Sequence, residues 1–398
     1  PMLTLGAVNA IAEHASDELK AVYLPKMVSG EWTGTMNLTE PNAGSDLAQV
    51  RTKAVDNGDG TYSITGQKIF ITWGEHDMAE NIVHLVLARL PDAPEGVKGI
   101  SLFIVPKYLV NADGSLGARN DARCVSIEHK LGIHGSPTAV MSFGDQGGAI
   151  GYLVGEPHRG IVYMFQMMNE ARMAVGMGAV ALGYTGYLKS VQYARERPQG
   201  RPLDVKDPTT PQVPIVEHPD VRRMLLAQKA YVEGGMALGL YCARLVDLQH
   251  SAESDDESDA AGLLVDILTP IAKSWPSQWC LEANNLAIQV HGGYGYTREY
   301  DVEQHYRDNR LNPIHEGTNG IQSLDLLGRK VTQRGGASLA ALGQVIAETV
   351  RAADELGGEG AELAGALDAS WQRLVAVTGG MFGSGDIPAV MANSHVYL

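Results

Sequence analysis

Cysteine is scarce. The 398 residues include three, Cys124, Cys242 and Cys280, far apart and without a CxxC spacing. That excludes a disulfide framework and a cysteine-based zinc site, so a reducing, cytoplasmic setting is expected. Long apolar runs are missing as well. The blandest stretch, 173–188, carries four glycines and falls short of the roughly 20 residues a membrane helix needs. No signal-peptide pattern opens the chain. Positive charge is in deficit, with 31 Lys and Arg against 46 Asp and Glu and a formal charge of −15. Such a balance disfavours nucleic acid or an anionic membrane as the main partner. A GxSxG elbow, a Walker loop and an HExxH pair are also lacking, which removes the usual signatures of serine hydrolysis, P-loop chemistry and zinc peptidases. No metal centre is expected.

What remains is a chain too long for one core, since single cores rarely grow beyond about 250 residues. Residues 2–28 alternate small apolar and charged residues at helical spacing. A chain that starts at Pro1 and runs straight into such a pattern reads as a fragment. From Trp32 the character changes. Turn signals at Asn57-Gly58 and Asp59-Gly60 precede Tyr62, Ile64, Ile69 and Ile71, and the runs 82–88 and 100–105 are rich in β-formers. Beyond His158 the period becomes helical, with Val221, Leu225, Val232, Met236 and Leu240 along one face. Helices are predicted near 160–196, 260–290, 316–330, 337–356 and 361–377. The segment 198–219, with six prolines, reads as a loop, and the acidic run 253–259 as a solvated turn. The predicted organisation is α+β: helices over 1–31, a mostly antiparallel β-domain over 32–156, a helical bundle over 157–332 and the start of a helical extension over 333–398.

Four segments could carry chemistry. Thr39-Glu40-Pro41-Asn42-Ala43-Gly44-Ser45-Asp46 is a tight loop with backbone amides available to a phosphate or a ring edge. Ile69-Phe70-Ile71-Thr72-Trp73-Gly74 ends a strand with a flat aromatic and a hydroxyl. Gln289-Val290-His291-Gly292-Gly293 breaks a long helix with backbone that could accept a pyrophosphate. Ile314-His315-Glu316-Gly317-Thr318-Asn319 sets a carboxylate just ahead of Ile321, Leu324 and Leu327 at helical spacing. Taken singly, each has a plainer explanation: a turn, a sheet edge, a helix C-cap, a carboxylate near a helix start. Gly176-Met-Gly178-Ala-Val-Ala181 matches a dinucleotide fingerprint in letters only, for no strand precedes it. Close helix packing explains its small residues better.

Together, and in this order and spacing, the four segments resemble the acyl-CoA dehydrogenase family from about residue 20 to 330. The resemblance implies an N-terminal helical domain, here largely missing, a central β-domain and a C-terminal helical domain. It implies FAD as cofactor and α,β-dehydrogenation of an acyl-CoA thioester, with Glu316 taking the α-proton. By the same resemblance Leu38, Thr39, Phe70, Thr72 and Thr318 would meet the flavin. Arg197, Gln289 and Gly293 would meet the FAD of a neighbouring subunit in a homodimer or homotetramer. Ser45, Asn169 and Arg172 would hold the CoA thioester. An electron-transfer flavoprotein would be the acceptor; an oxidase using O₂ and a non-catalytic, nucleic-acid-binding scaffold are the alternatives. Pro198-Gln199-Gly200 after Arg197, and Gly320 where Gln is frequent, depart from the common pattern and bear on cofactor affinity more than on reaction type. The length beyond Lys330 and the wording Asn309-Arg310-Leu-Asn-Pro-Ile-His-Glu316 resemble the longer bacterial subfamily, which includes 3-(methylmercapto)propionyl-CoA dehydrogenases and fatty acyl-CoA dehydrogenases.

Overall fold

The structure, a computed structural model, describes residues 2–398, apart from the side chains at 166, 167, 169 and 170. The chain divides into two units, Pro1–Ala171 and Arg172–Leu398.

In the first unit two helices precede the sheet. Ser16 separates α1 (Met2–His14) from α2 (Asp17–Ser29) by capping the second, its Oγ accepting the Leu19 N–H at 3.4 Å. The sheet has eight strands: β1 (Trp32–Asn37), β2 (Lys53–Asp56), β3 (Tyr62–Thr72), β4 (Asn81–Arg89), β5 (Ile100–Pro106), β8 (Ala122–Ile127), β9 (Thr138–Phe143) and β10 (Ala149–Leu153). The main path runs β1-β4-β5-β10-β3-β9-β8, with β2 beside β3 and β4. A separate hairpin pairs β6 (Tyr108–Val110) with β7 (Leu116–Arg119). Pairing is antiparallel except for β1 and β2 on β4, so the expectation of a mostly antiparallel domain holds.

The continuous apolar runs have a clear cause. Alternate residues of β4 and β5 serve two cores: Leu85, Leu87, Leu102 and Ile104 pack with α1, α2 and Trp32, while Val86, Phe103 and Val105 pack with Ile64, Ile71 and Phe143. Both faces are covered, and the period-two alternation of a half-exposed strand disappears.

The second unit is helical. The helix α3 (Gly160–Glu196) spans the division, and α4 (Pro219–Ser251) and α5 (Asp255–His291) follow. Between α3 and α4 the proline-rich loop contains a short 3₁₀ turn, Ile215–Glu217, and an isolated bridge between Pro198 and Pro214. Of the small residues of α3, Gly176 and Gly183 act as packing residues, whereas Gly178 and Ala181 are exposed. A Cβ on Gly176 would sit 2.0 Å from the Ala272 carbonyl oxygen, and one on Gly183 would sit 2.8 Å from the Cys280 Cβ. The two helices therefore touch backbone to backbone. The acidic run is no loop: Asp255, Asp256 and Glu257 form the first turn of α5, where their charges complement the helix dipole and Ser254 caps the Glu257 N–H at 3.3 Å.

Beyond α6 (Val302–Asn309) an irregular segment leads to α7 (Asn319–Asp325), which continues as a π turn, Leu326–Lys330. Four more helices close the chain: α8 (Ala337–Glu355), α9 (Glu359–Gly383), α10 (Ile387–Ala392) and α11 (Ser394–Tyr397). Leu339, Leu342, Phe382 and Tyr397 pack on the core that Leu326 and Val331 share with α5, so residues 337–398 are part of the second unit. Among the described residues no helix is long and apolar enough to cross a membrane.

Candidate active site

Three buried asparagines set the segment between α6 and α7. Asn309, at the end of α6, donates to the Asn284 Oδ1 at 2.7 Å and to the Ala179 carbonyl at 3.2 Å. Asn312 donates to the Asn309 Oδ1 at 2.8 Å, and the His315 Nε2 lies 3.0 Å from the Asn312 Oδ1. With an amide oxygen facing it, Nε2 carries the proton. The chain then turns on Glu316, at φ 52°, and Gly317, at φ 85°. For glutamate this left-handed backbone costs about 1–3 kcal/mol and persists only where the surroundings hold it. Two donors do so. Gln322 Nε2 reaches the Glu316 carbonyl at 2.9 Å, and Lys273 Nζ reaches the Gly317 carbonyl at 2.7 Å. Thr318 then caps α7, its Oγ1 accepting the Ile321 N–H at 3.2 Å. The Glu316 N–H enters no backbone hydrogen bond among the described residues.

The surroundings of the Glu316 carboxylate raise its basicity. Glu316 Oε2 is removed from solvent and has no hydrogen-bond partner among the described residues. Burial pushes its carboxyl pKa up, while the charges of Arg172 and Lys273 pull it back part of the way. Its neighbour moves the opposite way: burial and Lys273 push His315 down to about 4. The imidazole is therefore neutral and a weak base at neutral pH, and Glu316 is the stronger base of the two. Arg172, expected on the CoA thioester, is buried and paired with Asp325 at 2.9 Å, and Asp325 also accepts from Arg329 at 2.7 Å.

Two family models match the chain. The model described as "Acyl-CoA dehydrogenase, C-terminal domain" matches residues 158–331, and that described as "Acyl-CoA dehydrogenase, middle domain" matches 35–146. The short-chain-specific acyl-CoA dehydrogenase of Clostridium acetobutylicum is 30% identical over 81% of this chain and 74% of its own length. The chain belongs to the acyl-CoA dehydrogenase family. The 3-methylmercaptopropionyl-CoA dehydrogenase of Ruegeria pomeroyi is 50% identical over 88% of the chain, which spans 58% of that relative's length. A crystal structure of Caenorhabditis elegans ACDH-11 in complex with C11-CoA has the same fold, at a TM-score of 0.84 and 23% identity, over 100% of this chain and 64% of that one.

The positions expected to meet a flavin fall into two groups, one in each unit. In the first, the Leu38 carbonyl accepts from Lys68 at 3.1 Å and the Thr39 carbonyl accepts the Ile69 N–H at 2.9 Å. The register of β3 against β9 shifts between Lys68 and Ile71, and Phe70, at φ 59°, stands 59% exposed. A bulge thus turns an aromatic face outward two residues from the half-buried Thr72. In the second unit Arg197 lies over the Tyr294 ring, 5.5 Å from its centroid, while Tyr193 stacks on His291 at 4.3 Å. Gln289 and Gly293 are exposed beside them, with open space where a Gly293 side chain would stand. Ser45 is exposed on its loop, and Asn169 lies on α3 with its side chain outside the described residues. Lys273, Asn284, Gln322 and Asp325 carry no motif in the sequence, whereas Asn309 and Asn312 lie in the quoted 309–316 wording without a role being legible there. Only the joint burial of polar residues in apolar helices could have marked them.

Proposed function

We propose that this chain carries out FAD-dependent α,β-dehydrogenation of an acyl-CoA thioester to the 2-enoyl-CoA, with Glu316 as the base. The observation that carries the reading is the Glu316 carboxylate itself: on a half-buried residue, with Oε2 removed from solvent and unpartnered, held on strained backbone and faced by Arg172 and Lys273.

The residues present fit a flavin. The outward Phe70 face, the pinned carbonyls of Leu38 and Thr39, and Thr72 suit a ring system. Arg197 with the open backbone at Gly293 and Gln289 suits a pyrophosphate, supplied to the flavin of a second copy in a homodimer or homotetramer. When bound, the flavin supplies a hydride acceptor for the thioester β-carbon. Glu316 removes the α-proton onto its carboxylate, the α C–H pair becomes the new double bond, and the β-hydrogen leaves with its pair. The Glu316 N–H, with no backbone partner, is available to the thioester carbonyl on which negative charge develops. Ser45 and Asn169 belong to CoA binding. Arg172, buried against Asp325, acts more directly on Glu316 than on CoA. Electrons pass on to an electron-transfer flavoprotein.

The 50% identity to a dehydrogenase named for a short thioether acyl-CoA supports a short substrate. FAD-loaded protein is therefore expected to bleach faster with 3-(methylmercapto)propionyl-CoA and butyryl-CoA than with a long-chain acyl-CoA, under anaerobic stopped-flow. Faster bleaching by the long chain would reverse the substrate assignment. No flavin uptake at all would remove the reading for this chain.

A further inference from the structure

Lys273 is fully buried on α5, and its ammonium donates to a backbone carbonyl, that of Gly317, at 2.7 Å. A lysine buried without a hydrogen-bonded carboxylate is unusual, because removing an ammonium from water is costly and a neutral donor could hold the same carbonyl. The fold fixes its place. The contact of Gly176 with the Ala272 carbonyl locks α5 against α3 one residue before Lys273. What distinguishes lysine here is its charge. The other buried cation near the base, Arg172, is already ion-paired with Asp325, whereas the carboxylate that acts on Lys273 is Glu316 itself.

We propose that Lys273 is the positioning residue of the base: it clamps the Gly317 carbonyl, keeping residues 316 and 317 in their left-handed turn, and its charge keeps the Glu316 carboxylate ionised in a water-poor site. The inference rests on Glu316 being the base. The charged and titratable groups facing Glu316 are Lys273 from α5, Arg172 from α3 with its partner Asp325 on α7, and His315 from the same loop. Burial pushes Lys273 down to about 8, so it remains largely protonated at neutral pH. His315, near 4, contributes no charge there. Glu316 works when ionised. Removing the Lys273 charge leaves burial opposed by Arg172 alone, and the rising limb of the rate against pH moves to higher pH.

The test compares wild type, Lys273→Met and Lys273→Gln, each loaded with FAD, by the pH dependence of anaerobic bleaching with butyryl-CoA. Gln keeps a donor and loses the charge; Met loses both. Both variants are expected to shift the rising limb upward by about one unit, with a loss of about tenfold below the midpoint, recovery at higher pH and little change in the half-saturating butyryl-CoA concentration. Without flavin, amide exchange over 315–319 is expected to quicken more in the Met variant than in the Gln variant. An unshifted limb in both variants, an equal loss at every pH, or failure of both variants to fold would overturn the positioning role. Wild-type protein that binds FAD but is not bleached would overturn the base assignment first, and the inference with it.

Discussion

Glu316→Gln is expected to retain the fold and the yellow colour of FAD-loaded protein while bleaching by acyl-CoA slows by about 10²- to 10⁴-fold, the range a positioned general base contributes. Gln has the size of Glu and can keep the Glu316 backbone bonded to Gln322, so the loss falls on proton removal and not on binding. The same change is expected to raise stability at neutral pH. A carboxyl whose pKa is raised in the folded state is harmless below the ordinary carboxylate range. It becomes destabilising as pH rises through the raised folded value, where the buried group must ionise. The variant should therefore lack the stability loss that wild type shows on going from acid to neutral pH, as read by thermal unfolding across pH. Normal bleaching in Glu316→Gln would show that another group takes the proton.

Glu40→Gln is expected to destabilise the first unit by about 3–5 kcal/mol, the usual loss when one member of a buried ion pair is removed. Glu40 belongs to the loop predicted to meet the flavin, yet it faces inward. Its Oε1 accepts from Lys68 Nζ at 2.8 Å, from Thr52 Oγ1 at 2.6 Å and from the Thr52 N–H at 3.0 Å, and its Oε2 accepts the Arg51 N–H at 2.7 Å. Lys68, fully buried, also holds the Leu38 carbonyl. Despite its carboxylate partner, burial pushes the Lys68 ammonium down to about 8, so for the lysine desolvation outweighs attraction. The pair's value is positional. For Glu40, burial pushes up, but the Lys68 charge and the bonds from Lys68, Thr52 and Arg51 bring its pKa below the ordinary value. Its contribution is thus present above the ordinary carboxylate range and lost as pH falls through the lowered value. Denaturant unfolding of Glu40→Gln should show the loss, and replacing both members, Glu40→Leu with Lys68→Met, should recover most of it. A single variant as stable as wild type would mean that the pair does not anchor this loop.

The sequence reveals elements whose physics is local. Ile82–Ala88 and Ile100–Val105 read as strands because both faces are buried, and the Glu316 segment stands out because Gly317 and the α7 period frame it. The acidic run misleads because charge marks a solvated turn and a helix N-terminus equally well; only Ser254, three residues before Glu257, points to the cap. Phe70 is visible as an aromatic, but the bulge that exposes it depends on the register with β9, a non-local pairing. Lys273 and Arg172 look like ordinary helix charges. Their burial follows from the approach of α5 to α3, which the glycines permit but whose angle no motif encodes.

The most direct measurement is anaerobic mixing of the FAD-loaded chain with butyryl-CoA, followed by flavin absorbance and by the mass of the thioester. Loss of the oxidised-flavin spectrum together with a product lighter by two hydrogens is the expected result. An unchanged spectrum and an unchanged thioester, in protein that holds FAD, would contradict the assignment of Glu316 and of this chain to acyl-CoA dehydrogenation.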